Sequence, residues 1–259
     1  MIYYKAWLES KGRFFTGLIA VSFITVFYIW LHNILIPQWK IALEQPATYK
    51  PAWLPLGVND FRFYVWHFLY DYQMQEVWVL FAILLSFGGL NREYIQGSIS
   101  FTLGLPVKRS NWVSSRIIIA LLESLVIGII PALLIPLAGL YFGLHYPIAQ
   151  SIAHSLLMII VGSIFIMLAN FFAMIIRSSY YVSITVILLI LGLPYMILQE
   201  YAREITHDSL AYKFDIAHIM SGPWLLTWSN TPWMSIVILL IISVIIFSLT
   251  ILYVKKADY

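Results

Sequence analysis

Residues 151–176 read SIAHSLLMIIVGSIFIMLANFFAMII, a run without any Asp, Glu, Lys or Arg. An apolar run of about 18 or more residues is long enough to cross the hydrocarbon core of a bilayer as a helix. Similar runs recur along the chain, which is 61% hydrophobic and only 10% charged. A soluble globular domain carries far more charged residues. The sequence therefore predicts an all-α, polytopic membrane protein, with residues 1–259 forming a single transmembrane domain.

Six apolar runs predict six transmembrane helices. They cover residues of about 14–36, 73–90, 112–140, 151–176, 180–199 and 233–254. The first run is too long for a signal-peptide core and no small-residue cleavage pattern follows it, so we expect a retained span. Pro37 is expected to end this first span, and the fifth span is expected to kink near Gly192–Pro194.

Two long segments, residues 37–72 and 200–231, separate the predicted spans on the outer side. The first contains four prolines, Pro37, Pro46, Pro51 and Pro55, and then the aromatic run FRFYVWHFLYDY at residues 61–72. Trp and Tyr favour the headgroup level of a membrane, so this run is predicted to lie against the interface rather than to cross the bilayer.

The distribution of Lys and Arg predicts the orientation. With the N-terminus inside, the ten inner basic residues are Lys5, Lys11, Arg13, Arg92, Lys108, Arg109, Arg116, Arg177, Lys255 and Lys256. The five outer ones are Lys40, Lys50, Arg62, Arg203 and Lys213. Because inner loops are enriched in basic residues, we expect a multi-pass protein of the cell membrane with both termini in the cytoplasm.

Residues 2–13 precede the first span and are amphipathic. Ile2, Tyr3, Ala6 and Trp7 recur at helical spacing, while basic and acidic side chains fall on the other side. A basic amphipathic helix with Trp on its apolar face suits the membrane interface, which is the interpretation we prefer. The alternative is a plain cytoplasmic extension of the first span.

The sequence carries no G-x-x-x-x-G-K-[ST] phosphate-binding loop, so the chain is not predicted to bind and hydrolyse ATP by itself. Hydrolase and metalloprotease patterns are missing as well. Cysteine is absent, and the six histidines lack the spacing of metal ligands. The formal net charge of +3 is small and dispersed, which argues against nucleic acid as a partner. We therefore predict no enzyme activity, catalytic residue, cofactor or metal for this chain.

The polar stretch NREYIQGSISFTLGLPVKR, residues 91–109, lies between the second and third predicted spans on the cytoplasmic side. Asn91 suits a helix N-cap and Glu93 its first turn. Gly104 and Pro106 would end the helix. The pattern predicts a short, mostly uncharged amphipathic helix, although an ordinary loop lying on the headgroups fits its physical properties equally well.

Two motifs in this stretch resemble the cytoplasmic loop of ABC-2-type transporter permeases. They are Glu93-x3-Gly97-Ser98 and Leu105-Pro106-Val107-x-Arg109, where the family has E-x3-G-[TS] followed by LP-[VI]-[ST]-R. Lys108 departs from the Ser or Thr of the family pattern. The layout is similar too, with an amphipathic N-terminal helix, six spans and a basic C-terminal end.

The resemblance implies that residues of about 91–105 form a coupling helix, which docks into a groove of a separate ATPase subunit. The docking residues that it implies are Glu93, Tyr94, Gly97, Ser98, Phe101, Leu105, Pro106 and Arg109. ATP and Mg would then be bound by the partner ATPase. A second permease subunit, identical or different, would complete the transporter in the lipid bilayer, and residues 2–13 would form an interfacial connecting helix.

Glu123 is a carboxylate placed well inside the third predicted span, about 10 Å deeper than Arg116. Such a group costs roughly 2.5–3.5 kcal/mol on insertion scales, so it is expected to face protein or a wet cavity. A functional interpretation places it on the transport path or at a dimer seam. The alternative is a carboxylate paired to a neighbouring helix, or one solvated near the inner interface.

The resemblance thus implies the permease subunit of an ATP-driven exporter that works by alternating access. The apolar composition suggests an amphipathic or hydrophobic cargo, such as a peptide, a lipid-like molecule or a drug. One alternative is a secondary transporter driven by an ion gradient, which needs buried ionisable residues along a path. The sequence shows hardly any clear candidate beyond Glu123. Another alternative is a membrane scaffold or sensor that does not transport.

Overall fold

The computed structural model describes residues 2–45, 51, 53–87, 108–176, 179–202 and 215–256, and every regular element in these ranges is a helix. The α-helices are α1 (Ile2–Glu44), α2 (Leu54–Asn59), α3 (Phe61–Tyr64), α4 (Met74–Ser86), α5 (Arg109–Tyr141), α6 (Ile148–Ile175), α7 (Tyr180–Ile187), α8 (Leu193–Ala202), α9 (Ile216–Ser221) and α10 (Trp233–Lys256). Two π-helical segments, Val65–Gln73 and Leu188–Gly192, join α3 to α4 and α7 to α8.

Four helices in the described ranges, α1, α5, α6 and α10, are long and apolar enough to cross a membrane. The ends of α5, α6 and α10 lie within three residues of those predicted for the third, fourth and sixth spans. Pro131 and Pro136 lie inside α5 without ending it. The described chain is therefore an all-helical, membrane-embedded protein.

Helix α1 differs from the prediction at both ends. Residues 2–13 continue directly into the first predicted span, so they extend that helix instead of forming a separate one. The helix also runs through Pro37, where it was wrongly predicted to end. A proline removes one backbone donor, and this loss falls only two turns before the last helical residue. At about 1.5 Å per residue, α1 is about 64 Å long, roughly twice the thickness of the hydrocarbon core.

The aromatic run at residues 61–72 is helical and packed into the bundle, whereas residues 37–72 were expected to form a long connection between two spans. The backbone stays helical from Phe61 to Ser86, through the π-helical segment. Tyr64 and Tyr70 are each only 1% exposed. Their hydroxyl groups donate to backbone carbonyls inside the protein, at Tyr28 and Ser151 respectively. These internal hydrogen bonds allow tyrosines that would suit the interface to be buried.

The helices pack around α6, which contacts α4, α5, α9 and α10. α1 in turn packs on α5, on α4 and on the π-helical segment before α4, and its buried residues are spaced three or four apart. They are Ala6, Ser10, Phe14, Gly17, Val21, Thr25, Ile29 and His32. A Cβ added to Gly17 would lie 2.8 Å from Phe81 Cδ1 and 2.9 Å from Ile127 Cδ1. Small residues therefore let α1 approach α4 and α5 closely, as is usual between membrane helices.

Trp78 of α4 occupies a notch formed by two glycines of the neighbouring helices. Its side chain is 2% exposed. A Cβ added to Gly162 of α6 would lie 2.1 Å from Trp78 Nε1, and one added to Gly128 of α5 would lie 2.9 Å from Trp78 Cζ3. These distances are shorter than any van der Waals contact, so the packing of α4 against α5 and α6 requires glycine at both positions.

Helix α9 is short and buried, although residues 200–231 were predicted to be an outer loop. Four side chains of the bundle lie within hydrogen-bond distance of backbone carbonyls. These carbonyls belong to α9 or to the residues just after it. They pair as Gln75 with Ala217 O, His154 Nδ1 with Ser221 O, Trp66 with Gly222 O, and Gln150 with Trp224 O. Buried backbone groups outside long helices must find such partners in a membrane protein, which explains these polar residues in apolar surroundings.

Asp215 caps the N-terminus of α9. Two substitutions at this position distinguish the contribution of the capping hydrogen bonds from that of the carboxylate charge. Its carboxylate accepts from the backbone N–H groups of Ala217 and His218. Burial raises the pKa of Asp215, although these two hydrogen bonds oppose the shift. Asp215→Ala should lower the free energy of unfolding by about 1 kcal/mol, whereas Asp215→Asn, which keeps the acceptor, should leave it unchanged or higher.

Thermal unfolding of the two Asp215 variants in detergent, followed over pH, tests this account. Because the fold disfavours the ionised carboxylate, wild-type stability should fall slightly as pH rises through the pKa of Asp215. That dependence should vanish in Asp215→Asn. Equal losses in the Ala and Asn variants would show that the cap is not responsible.

Candidate functional site

The candidate site lies where the N-terminal part of α1 packs against the N-terminal half of α5. We call it the polar seam, defined by Glu9, Ser10, Arg13, Arg116 and Glu123. Glu123 lies about 21 Å along α5 from its first residue, Arg109. Two carboxylates and two guanidinium groups thus meet between helices that are otherwise joined by small and apolar side chains.

Glu123 is 3% exposed, and its partner is a serine on α1. The Ser10 hydroxyl donates to Glu123 Oε1. Glu123 Oε2 is buried without a hydrogen-bond partner in the part of the chain that the structure describes. Arg13 and Arg116 are both near enough to act on this carboxylate electrostatically. The surroundings of Glu123 match the alternative of a carboxylate paired to a neighbouring helix.

Arg116 forms the second connection between the two helices. Its guanidinium makes an ion pair with the Glu9 carboxylate, and the residue is 8% exposed. On α1, Arg13 Nη2 donates to the carbonyl of Glu9 at 3.0 Å. An ion pair this far from solvent is costly to break, because removal of one partner leaves an uncompensated buried charge.

Trp112 extends the seam toward the first residues of α5. The Lys5 ammonium lies 4.6 Å from the centroid of the Trp112 ring, and the Arg116 guanidinium lies 5.9 Å from it. Both distances are within the range of cation–π attraction. One face of residues 2–13 is therefore held on α5 by Lys5, Glu9 and Ser10, rather than by lipid alone.

The seam lies close to the described residues that flank the segment with the two sequence motifs. Phe87, directly after α4, lines a small crevice together with Ser10, Arg13 and Arg116. Arg109, the last residue of the motif, is the first residue of α5. Phe87 therefore lies beside the polar seam, and Arg109 lies two helical turns before Arg116 on α5.

The predicted docking residues can be placed only in part. Seven of them, Glu93, Tyr94, Gly97, Ser98, Phe101, Leu105 and Pro106, lie outside the described residues, as does the whole of the predicted coupling helix at 91–105. Arg109 is partly exposed at the start of α5. The structure brings Glu123 into contact with residues 2–13. The sequence had not indicated that these two features belong to one site.

The sequence did not predict Glu9, Ser10 and Arg13 as partners of α5. A usable signal exists, because Ala6, Ser10 and Gly17 are small residues on one face of α1 and Glu9 and Arg13 stand one turn apart beside them. Buried ionisable residues are also more numerous than expected, since His32 and His154 are buried besides Arg116 and Glu123. His154 lies 2.8 Å from the carbonyl of Ser221 and so belongs to the contacts of α9.

Comparison with models of protein families, with curated proteins and with solved structures finds no match to this chain.

Proposed function

We propose that this chain is the transmembrane permease subunit of an ABC exporter, driven by a separate ATPase that docks on residues 91–105. The proposal rests on the two motifs between Glu93 and Arg109 and on the absence of a phosphate-binding loop from the sequence. The single structural observation in its favour is the polar seam, which lies beside Phe87, four residues before the motif segment, and two helical turns from Arg109, the last residue of that segment.

The polar seam offers a route by which movement at the motif segment reaches the bundle. A force applied to residues 91–108 acts directly on the first turns of α5. The pairs Arg116–Glu9 and Ser10–Glu123 then tie those turns to α1, so the two helices move together. Because α1 and α5 are both long enough to cross the membrane, such a movement reaches the outer half of the protein.

In this proposal the chain has six spans, both termini lie in the cytoplasm, and it pairs with a second permease subunit in the cell membrane. The transport path would lie between the subunits and open alternately to each side, carrying an amphipathic or hydrophobic cargo. The apolar and aromatic composition supports this class of cargo.

The orientation can be tested simply because the chain contains no cysteine. A single cysteine in place of Thr48 should react with a membrane-impermeant maleimide added to intact cells. One in place of Ser98 should react only after the membrane is opened. The reverse pattern would contradict the proposed topology.

A secondary transporter is the second candidate, and the buried ionisable residues favour it. Glu123, Arg116 and His154 are all buried within apolar helices. Such residues often mark ion and proton paths in membranes. However, the first two belong to the α1–α5 contact and the third contacts α9, so they do not form one continuous path among the described residues.

Co-purification tests the proposed docking. The tagged chain, extracted from native membranes in mild detergent, should retain a subunit with a phosphate-binding loop, identified by mass spectrometry. Phe101→Ala and Glu93→Ala should reduce its recovery at least about fivefold, as expected for loss of a central interface contact. Lys11→Ala, on the exposed side of α1, is the matched control and should leave the recovery unchanged. Full recovery with both docking variants would exclude this surface.

Glu123→Ala should lower transport more than it lowers assembly. The substitution removes the acceptor for Ser10 and loosens the contact between α1 and α5, while the docking segment is untouched. Glu123→Gln keeps an acceptor oxygen and should retain most transport. ATP-dependent efflux and ATPase recovery, measured on the same membranes, separate the two effects. Unchanged efflux in Glu123→Ala would show that this residue has no part in transport.

A further inference from the structure

Three lysines lie at the end of the bundle where α5 begins and α10 ends. Lys108 directly precedes α5, and Lys255 and Lys256 are the last two residues of α10. All three are exposed. None of them forms an ion pair in the part of the chain that the structure describes. We call these three residues the lysine patch.

The packing of α5, α6 and α10 brings these lysines to the same end of the bundle. Val254 of α10 belongs to one buried cluster with Val113 of α5 and Met174 of α6. Lys255 directly follows Val254. At about 1.5 Å per residue, Lys108 lies about 8 Å before Val113 along the axis of α5. Positive charges from two distant parts of the sequence therefore lie close to one contact between helices.

The three helices carry no second charge of opposite sign that could offset the lysine patch. Glu123 is the one Asp or Glu within α5, α6 and α10, and it accepts from Ser10 of α1. On α1, Glu9 is paired with Arg116. Lysines clustered at the ends of membrane-spanning helices attract anionic lipid headgroups.

Exposed aliphatic side chains continue from the lysine patch into the membrane-spanning parts of both helices. Leu252 and Leu249 lie three and six residues before Lys255 on α10, and Ile118 and Leu122 lie one turn apart on α5. These four side chains are between 39% and 54% exposed. An amphiphile with a charged head and apolar chains fits both kinds of surface, whereas an acidic soluble protein would leave the aliphatic part unused.

We propose that the lysine patch binds an anionic phospholipid, with its phosphate at the lysines and its acyl chains along the exposed aliphatic side chains of α5 and α10. A zwitterionic phospholipid has the same chains and a phosphate, but its own ammonium group competes with the lysines. A lipid of net negative charge has no such competitor. The lysines therefore select the headgroup, while the aliphatic surface accepts either lipid. Such binding requires neither an ATPase nor transport.

Photolabelling of the full-length chain in phosphatidylcholine nanodiscs tests the site. Two phospholipid probes carry the same diazirine in one acyl chain, and they differ only in the headgroup, phosphatidylglycerol or phosphatidylcholine. The phosphatidylglycerol probe should label residues 118–122 and 249–252 at least about fivefold more than the phosphatidylcholine probe. Because the lysines are exposed, this preference should decrease as the salt concentration rises.

Substitution of all three lysines distinguishes the effect of charge from that of lipid packing. The triple variant Lys108→Gln, Lys255→Gln and Lys256→Gln should lose the preference for phosphatidylglycerol, whereas Arg at the same three positions should retain it. Lys40→Gln, which removes an exposed lysine near the last residues of α1, is the matched control and should also retain it. The ratio of labelling by the two probes is compared, so a general loss of labelled protein cancels.

Equal labelling by the two probes in the wild type would overturn the proposal. A preference that survives the triple Gln variant, or one that is insensitive to salt, would overturn it as well. Loss of the preference in Lys40→Gln would show that the net charge of the chain, rather than the lysine patch, attracts the lipid. A preference spread evenly over other exposed faces would exclude a site at the junction of α5 and α10.

Discussion

Gly162→Ala should destabilise the protein by about 3 kcal/mol, near the upper end of the usual cost of overpacking. The added methyl group would lie 2.1 Å from Trp78 Nε1 and 2.6 Å from Trp78 Cδ1. The ring cannot withdraw, because Gly128 borders it on the α5 side and the side chain is almost fully buried. Either α4 must shift away from α6 or the indole must leave its preferred rotamer.

Gly12→Ala is the matched control for this variant. Gly12 also lies inside a long helix, but a Cβ there has no neighbour within 4 Å. Alanine is favoured over glycine in a helix by about 0.5–1 kcal/mol, so this variant should be slightly more stable than wild type. Thermal unfolding in detergent at a fixed scan rate compares the two.

A second substitution, at Trp78, tests whether a clash with the indole ring causes the loss of stability in Gly162→Ala. Trp78→Phe shortens the ring, and it strands no acceptor because Trp78 Nε1 has no hydrogen-bond partner among the described residues. Gly162→Ala combined with Trp78→Phe should therefore recover part of the stability lost in the single variant. If Gly162→Ala unfolds at the same temperature as Gly12→Ala, the notch around Trp78 is not as tight as described.

Arg116→Ala should cost about 3–5 kcal/mol of stability, because it leaves the buried carboxylate of Glu9 without its guanidinium partner. It also removes one of the two positive charges that act on Glu123. The same variant should disconnect α1 from the first turns of α5. We therefore expect both a lower unfolding temperature and a loss of ATP-dependent efflux, while the docking segment itself is unaltered.

Replacing both partners of the Arg116–Glu9 ion pair distinguishes the effect of an unpaired charge from the effect of lost side-chain packing. Glu9→Gln together with Arg116→Met removes the ion pair while keeping side chains of similar length, and it should be clearly more stable than Arg116→Ala alone. Lys11→Ala, next to Ser10 but exposed, serves as the control and should change stability by less than about 0.5 kcal/mol. An Arg116→Ala protein as stable as this control would show that Arg116 is solvated and the seam is unimportant.

The length and composition of the apolar runs were enough to predict α5, α6 and α10, because spanning a bilayer imposes a minimum length of uncharged helix. The same rules did not predict that residues 61–72 are helical and that part of the run is buried. Tyrosine and tryptophan suit the interface, but Tyr64 and Tyr70 find acceptors inside the bundle. Whether such acceptors exist depends on how helices cross, which a single sequence does not reveal.

The candidate site was predictable to a similar extent. The cost of burying Glu123 indicated that it needs a partner, and the structure supplies Ser10 from α1. The identity of that partner depends on the register between α1 and α5, which are 113 residues apart at this contact. Helix α9 was missed because its six residues are too few for a periodic pattern, and because its stability derives from side chains of other helices.

The central claim is that the energy for transport comes from a separate ATPase. The most direct measurement compares proteoliposomes that contain the chain alone with proteoliposomes that contain the chain and its co-purifying ATPase. Uptake of a fluorescent amphiphile into inside-out vesicles should require both the ATPase and ATP, and it should be insensitive to imposed proton or sodium gradients. Uptake by the chain alone, driven by such a gradient, would contradict the proposed function.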